Sequence, residues 1–290
     1  HILPQGVSAP AVVGSSRLGG LPDLASGASW PRSKSGGLLT FYGQINLEDV
    51  AVASGSPLLP SAGLLSIFAG AIESSYAPIE LRLAVTAAGT PLSTIALPDG
   101  PVAFADENVK PLDAVSIRCE PGLSLPTENM RFMRELEIAA PDGDIDTLLA
   151  GLSAAPTNAI GQILGYAQFP SSDVHRDAYF AEIGRADQGR LEIWEDWEAW
   201  EAAKLMQSRL RNGQIYRPWS AKDDENVRWL LANKAAIASG IEQWHSILWI
   251  ASNRLMNLWI NDADPIYILA KIDDAGHLDL SNAWAGATQS

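Results

Sequence analysis

The feature that most constrains the fold of this chain is the stretch from residue 246 to residue 285, which carries the densest apolar patterning in the sequence. Residues 247–250 (ILWI) form one apolar run, and residues 266–272 (IYILAKI) form a second that is rich in β-branched and aromatic side chains. Between them, residues 261–265 (NDADP) have the composition of a turn. We therefore predict two buried strands that frame a loop. Because a pair of strands is at best marginally stable in water, these two need earlier strands to complete their sheet.

Earlier segments supply those strands and one short helix. The apolar patterning predicts strands near 38–45, 64–69, 79–86, 102–104, 114–117, 246–252 and 265–272. Asn46 follows the first of them and can cap a short helix, with Asp49 at the third helical position. Gly19 and Gly20 precede a Leu-Pro step, which suits a backbone that passes close to another and then turns.

Two further helices are predicted in the second half of the chain. Residues 190–210 form one, in which tryptophan recurs at every third position, at Trp194, Trp197 and Trp200. Residues 223–238 form the other, which Gly240 should end. We therefore expect a Trp-rich helical insertion over residues 187–242. Its tryptophan row either packs in the core or faces a partner, since tryptophan is enriched at binding hot spots.

The charge balance of the 290-residue chain bears on its partners. Acidic residues number 34 against 20 basic ones, so the net charge is −14. This excess argues against nucleic acids and anionic membrane surfaces. It either serves solubility or attracts a protein partner with a basic surface. No apolar run reaches the roughly 18 residues of a membrane span. The single cysteine, Cys119, can form no internal disulfide, so we expect a cytoplasmic protein.

Sequence motifs of the common catalytic and phosphate-binding loops are absent, including the Walker loop, G-x-G-x-x-G and G-x-S-x-G. Residues 142–146 (DGDID) begin like a calcium loop, but Thr147 and Ser153 stand where a glycine and a bidentate glutamate belong. His175, close to Asp173, is a general base or, as we expect, a surface-loop histidine. We therefore expect no catalytic residue, no cofactor and no bound metal.

Aromatic and amide side chains near strand ends form an alternative candidate site. Gln44 and Gln168 each follow aromatic residues of a predicted strand, where an amide either satisfies buried backbone groups or binds a ligand. The sequence leaves both roles open. A pocket there would be lined by Trp30, Tyr42, Gln44, Gln168 and Asp262.

Four groups of short segments carry a family resemblance. They are GGLP at 19–22 with WP at 30–31; TFYGQINLE at 40–48 with LP at 59–60 and GLL at 63–65; GYAQF at 165–169; and NDA at 261–263 with YIL at 267–269 and DLS at 279–281. In their order and spacing they resemble the YwqG-like family, a bacterial group catalogued as domain of unknown function 1963. The resemblance implies a single domain over residues 1–290 with an α+β fold, in which a curved mixed β-sheet core carries the Trp-rich helical insertion. It implies no established catalytic residue or cofactor.

The resemblance also bears on function, because members of this family occur near polymorphic toxins. Our leading hypothesis is a non-enzymatic protein-binding module, in particular a bacterial immunity protein that neutralises a secreted toxin. The partner-binding candidates lie on the first helix of the insertion: Glu192, Trp194, Glu195, Asp196, Glu198 and Glu201. The alternatives are a small-molecule-binding protein or enzyme that uses the aromatic and amide pocket, and a structural module of a longer chain.

Overall fold

The computed structural model of this chain describes residues 1–6, 12–70, 78–100, 111–124, 158–167, 173–186, 221–260 and 263–287. Its described strands, in chain order, are β1 Ile2–Gly6, β2 Arg17–Leu18, β3 Asp23–Ala25, β4 Thr40–Asn46, β5 Leu64–Ala69, β6 Leu81–Thr86, β7 Leu92–Thr94, β8 Val115–Cys119, β9 Gly161–Ile163, β10 Trp244–Ile250, β11 Ile266–Lys271 and β12 Trp284–Ala287. Its described helices are α1 Leu47–Ser54, α2 Val174–Glu182, α3 Ala221–Ala232 and α4 Lys234–Ile241, and a short 3₁₀ turn covers Leu280–Asn282.

Ten of these strands form one sheet, in the order β12-β11-β10-β9-β1-β8-β2-β4-β5-β6, while β3 and β7 pair separately. The sheet curves until its two ends nearly meet: Ile79, just before β6, donates its backbone N–H to the carbonyl oxygen of Ala285 in β12 at 2.8 Å. The predicted α+β fold with a curved sheet is therefore confirmed.

Each pairing between described strands is antiparallel, so this sheet is not the mixed one we expected. Neighbours such as β4–β5 and β10–β11 follow each other in the chain, and their connections reverse its direction.

The two strands of the 246–285 stretch lie inside this sheet. β10 and β11 pair from Trp244 with Lys271 to Ile250 with Ile266, and β9 covers the other edge of β10. Both strands are buried on both faces, which explains their nearly continuous apolar runs. The strands predicted near 38–45, 64–69, 79–86 and 114–117 are likewise confirmed as β4, β5, β6 and β8.

The described core divides into several clusters of buried side chains. The largest takes residues from both ends of the strand order, such as Ile67 and Ile268, so it fills the space that the curved sheet encloses. On the opposite face, α2 covers β10 and β11 through Val174 and Ala178. A third cluster places Trp30 against β4 and β5.

Local sequence signals explain how α1 begins and why two glycines precede β3. The Asn46 side chain accepts the N–H of Glu48 at 3.0 Å, as predicted for a helix cap. Gly19 and Gly20 both have positive φ, and a Cβ on Gly19 would lie 2.2 Å from the carbonyl oxygen of Asp113. The predicted close approach of two backbones at these glycines is confirmed.

The helix predicted over 223–238 is instead two helices, α3 and α4, which break at Asn233. Gly240 lies within α4, so the prediction that it ends the helix is wrong. Its role is steric, because a Cβ at Gly240 would lie 2.1 Å from Cε2 of Tyr179 on α2. None of the helices in the described ranges is long and apolar enough to cross a membrane.

Several predictions fall on parts of the chain that the structure does not describe. Among them are the strand at 102–104 and the helix over 190–210 with its tryptophan row. The insertion over 187–242 is therefore described only from residue 221 onwards, and the single domain over residues 1–290 stays a prediction.

Candidate functional site

The predicted pocket residues that the structure describes are Trp30, Tyr42 and Gln44, whereas Gln168 and Asp262 lie outside the described residues. The Trp30 indole N–H donates to the carbonyl oxygen of Leu39 at 2.7 Å, and its ring meets Phe68 edge-on. Tyr42 is fully buried in the largest cluster, and this burial raises the pKa of its hydroxyl above the ordinary value. Trp30 and Tyr42 thus pack in two different clusters.

The Gln44 amide is fully engaged with the protein itself. Its Oε1 accepts the N–H of Asp23 at 2.9 Å, and its Nε2 donates to the carbonyl oxygen of Ser15 at 2.9 Å and to Asp23 Oδ2 at 2.8 Å. Of the two roles that the sequence left open, the observed contacts are those of an amide that satisfies buried polar groups.

Asp23 and Arg17 form a buried ion pair beside Gln44. Arg17 Nη1 lies 2.8 Å from Asp23 Oδ2, and the two side chains are 4% and 0% exposed. Burial acts to raise the pKa of Asp23, but hydrogen bonds from Arg17, Thr94, the Gly14 N–H and Gln44 outweigh it and hold the pKa far below its usual range. These contacts join β2, β3, β4 and β7. The sequence analysis did not predict this pair, which holds these strands together. Its only signal in the sequence was a pair of opposite charges, Arg17 and Asp23, on the two sides of the GGLP motif.

A cavity of about 640 Å³ lies between α1, the segment that follows β8, and β9 with the turn after it. We call it the β8–β9 cavity. Its lining residues are His1, Val50, Ala53, Ser54, Ser56, Leu58, Cys119, Glu120, Pro121, Gly122, Leu123, Ser124, Gln162, Ile163, Leu164 and Gly165. Neither Trp30, Tyr42 nor Gln44 belongs to this lining.

Gln162 is the most buried polar residue of the β8–β9 cavity, at 3% exposure. Its Nε2 donates to the carbonyl oxygens of Leu164 and Tyr166 at 2.7 and 3.1 Å. Its Oε1 is buried and accepts no hydrogen bond from any residue that the structure describes. Leu164 and Gly165 both have positive φ, so a tight turn brings these two carbonyls back onto the Gln162 amide.

Two further groups of the cavity lining differ in their exposure to solvent. The Cys119 thiol is partly buried, and burial raises its pKa to about 11. Glu120 is 40% exposed and pairs with Arg118 at 2.7 Å. Apolar side chains, among them Val50, Leu58 and Leu164, line the rest of the cavity. The β8–β9 cavity therefore combines an apolar wall with acceptor groups.

His175 lies in the first turn of α2, with a side chain only 13% exposed. The expectation that it lies on a surface loop is therefore wrong, and its Nδ1 lies 3.4 Å from Asp173 Oδ1. Asp173 caps the helix by accepting the N–H groups of His175 and Arg176. Burial, and then the positive charge of His175, lower the pKa of His245 on β10.

Residues 251–260, between β10 and β11, form a second feature of interest, which we call the Trp259 loop. From residue 255 onwards, side chains alternate between outside and inside: Met256, Leu258 and Ile260 are buried, while Leu255, Asn257 and Trp259 are exposed. Trp259 is 60% exposed. This exposed fraction is large for a tryptophan, because tryptophan usually buries most of its large surface.

The Trp259 loop is held by hydrogen bonds on both sides. Asn253 and Leu258 exchange backbone hydrogen bonds at 2.9 and 3.1 Å. Ser252 Oγ accepts the Ile260 N–H at 2.8 Å and donates to the carbonyl oxygen of Asp264 at 2.7 Å. The backbone on both sides of the exposed indole is therefore hydrogen-bonded to the rest of the protein.

The model of a family described as a domain of unknown function (DUF1963) matches residues 16–287, nearly the whole chain. Among curated proteins, none matches the sequence. The family resemblance drawn from the four groups of short segments is thereby confirmed.

Proposed function

Because this chain belongs to the DUF1963 family, whose function is unknown, we propose a function from its own surface: it is a non-enzymatic protein-binding module for a partner with a basic surface. The observation that carries this proposal is the exposed Trp259 on its hydrogen-bonded loop. Tryptophan is among the residues most enriched at binding hot spots, and a loop whose backbone is already hydrogen-bonded loses little backbone entropy on binding.

The charge of the chain supports a basic partner. The net charge of −14 attracts a basic protein and accelerates the encounter with it. We propose that the Trp259 loop supplies an apolar anchor, and that the acidic residues predicted on the helical insertion supply steering. These are Glu192, Glu195, Asp196, Glu198 and Glu201, with Trp194 beside them.

In its finer form, the proposal is that the chain is a bacterial immunity protein of the cytoplasm, which neutralises a toxin. The support is the family resemblance, which implies relatives in several bacterial settings that include the neighbourhood of polymorphic toxins, together with the charge excess. A toxin that is an enzyme would be inhibited when this chain covers the surface around its active site. Neutralisation therefore requires tight binding and no chemistry on the part of this chain.

The decisive experiment measures binding to one purified partner, the product of the adjacent open reading frame. Trp259→Ala should raise the Kd by about 30-fold, as expected for a hot-spot residue. Val52→Ala is the matched control, because Val52 is 89% exposed on α1 and its truncation should leave the Kd unchanged. Both variants should keep the melting temperature of the parent, since neither side chain is buried. Equal affinities for parent and Trp259→Ala would remove the proposed anchor.

A separate experiment tests the finer form. Co-expression of this chain with the adjacent product should restore growth to cells that the product alone kills. Reversal of charge at Glu192, Glu195 and Glu198 should slow association and weaken its salt dependence. If the adjacent product is not toxic, or binds without being neutralised, the immunity role is refuted while a protein-binding module stands.

A further inference from the structure

We propose that the β8–β9 cavity is a binding site for a small uncharged molecule with an apolar body, such as an aliphatic alcohol. This inference does not depend on the protein partner proposed above. A cavity of about 640 Å³ can enclose such a molecule, since small-molecule sites span roughly 300–1,000 Å³.

Apolar side chains that water still reaches come from each segment that forms the cavity wall. They are Ala53 in α1, Leu58 after it, Leu123 after β8, and Ile163 in β9. Leu123 is 66% exposed, and the other three are only partly buried. A ligand with an apolar body gains affinity here, because it removes this apolar surface from water.

The ammonium and carboxylate groups of the lining already have partners within the protein. The N-terminal ammonium of His1 donates to the carbonyl oxygen of Glu120 at 2.8 Å, and the Glu120 carboxylate accepts from Nε of Arg118 at 2.7 Å. Burial raises the pKa of the Cys119 thiol to about 11, so the thiol is uncharged at neutral pH. A charged ligand would therefore lose hydration without gaining an unpaired counter-charge from these groups, whereas an uncharged ligand avoids that cost.

The uncharged polar groups of the lining also make hydrogen bonds within the protein. Ser54 Oγ donates to a carbonyl oxygen of the preceding turn of α1 at 2.9 Å, and Ser124 Oγ accepts the N–H of Tyr166 at 2.9 Å. Two buried atoms of lining residues, His1 Nδ1 and Gln162 Oε1, make no hydrogen bond with any residue that the structure describes. A hydroxyl group both donates and accepts, so a ligand alcohol suits any such group that it reaches without bringing a charge.

Cys119 makes the proposal measurable, because it lines the cavity and is the only cysteine of the chain. The probes are 1-hexanol, hexylamine and hexanoate, which share one apolar chain and differ in charge at neutral pH. The readout is the rate at which methyl methanethiosulfonate modifies Cys119 at fixed pH and ionic strength. 1-Hexanol should slow the modification saturably, with a half-effect on the order of 10 mM for a ligand of this size. Hexylamine and hexanoate should each need a concentration at least about tenfold higher, because each must give up the hydration of its charge.

Two variants of α1 identify the site. Ala53→Phe fills the cavity and should abolish the effect of 1-hexanol, whereas Val52→Phe, at an exposed neighbouring position outside the lining, should leave it intact. If Ala53→Phe lowers the melting temperature, Ser54→Phe, at an exposed position of the lining, takes its place. Equal slowing by all three probes, stronger slowing by either charged probe, no slowing by 1-hexanol, or full slowing in the filled variant would overturn the proposal.

Discussion

Arg17 and Asp23 form an ion pair that solvent does not reach, with Nη1 2.8 Å from Oδ2. Both residues flank the two glycines that let the chain pass Asp113 closely, so the backbone turn and the ion pair form together. The Asp23 carboxylate also accepts hydrogen bonds from Thr94 on β7 and from Gln44 on β4. One carboxylate therefore holds the small β3–β7 sheet against the large one.

We expect Asp23→Ala to destabilise the protein by about 3–5 kcal/mol, because it leaves the buried Arg17 charge without its carboxylate partner. Urea unfolding at neutral pH measures the change. The matched control is Glu120→Ala, which breaks the partly exposed ion pair with Arg118. Because solvent weakens such a pair, this substitution should change the free energy of unfolding by less than about 1 kcal/mol. Equal effects of the two substitutions would show that the Arg17–Asp23 pair does not hold these strands together.

Gly240 allows α4 to lie against Tyr179 on α2, and its replacement should force the two helices apart. We expect Gly240→Ala to destabilise the protein by about 1–3 kcal/mol, as overpacking does, although alanine favours helices. In a Tyr179→Leu background the same substitution should be much less harmful, since the clashing ring is gone. A double-mutant cycle by thermal melting measures this coupling. A penalty of unchanged size in that background would mean that Gly240 acts through its backbone instead.

The sequence predicted the strands better than it predicted the contacts between elements. β4, β5, β10 and β11 were predictable because their apolar runs reflect burial that any core strand must have. The role of Gly240 was not, because helix-capping and helix-packing glycines look alike until the partner, Tyr179, is known.

The candidate site was less predictable than the fold for a similar reason. Gln44 and Gln162 are both amides on or beside strands, and their neighbours in sequence do not distinguish them. The structure does, because Gln44 Oε1 accepts the N–H of Asp23, while Gln162 Oε1 accepts no hydrogen bond within the described ranges. Hydrogen bonding across distant segments, such as that of Asp23 with Thr94, has no period that a sequence pattern can reveal.

We expect the stability of the protein to fall as pH decreases from neutral towards 5.5, in part because of His245. Burial and the charge of His175 lower the pKa of His245 in the folded protein below its ordinary value of 6.5. The unfolded chain therefore binds a proton more readily than the folded one as pH falls through this range, which favours unfolding. The Asp173 carboxylate acts in the same direction at lower pH. Burial alone would raise its pKa, but the His175 hydrogen bond and the charges of His175 and Arg176 lower it.

Melting temperatures across this pH range test the assignment to His245. His245→Gln should reduce the loss of stability between neutral pH and pH 5.5, whereas His277→Gln, at an exposed position, should leave it as in the parent. A parent and a His245→Gln variant with parallel pH profiles would assign the acid sensitivity to other groups.

The contact between Ile79 and Ala285 gives a prediction about how firmly the curved sheet is closed. The Ile79 N–H donates to the Ala285 carbonyl oxygen at 2.8 Å, yet Ile79 precedes β6 and Ala285 belongs to β12, at the other end of the strand order. Because Ile79 is also 4% exposed and packs in the largest cluster, this hydrogen bond should open only when the sheet itself opens. Native-state hydrogen exchange should therefore show the Ile79 amide protected to the same degree as the Leu65 and Ile67 amides inside the sheet.

The amide of Ala51 in the short helix α1 offers a comparison outside the sheet, and it should exchange faster. Exchange of Ile79 as fast as that of Ala51 would show that the two ends of the sheet separate without global unfolding, so that the ten strands close only transiently.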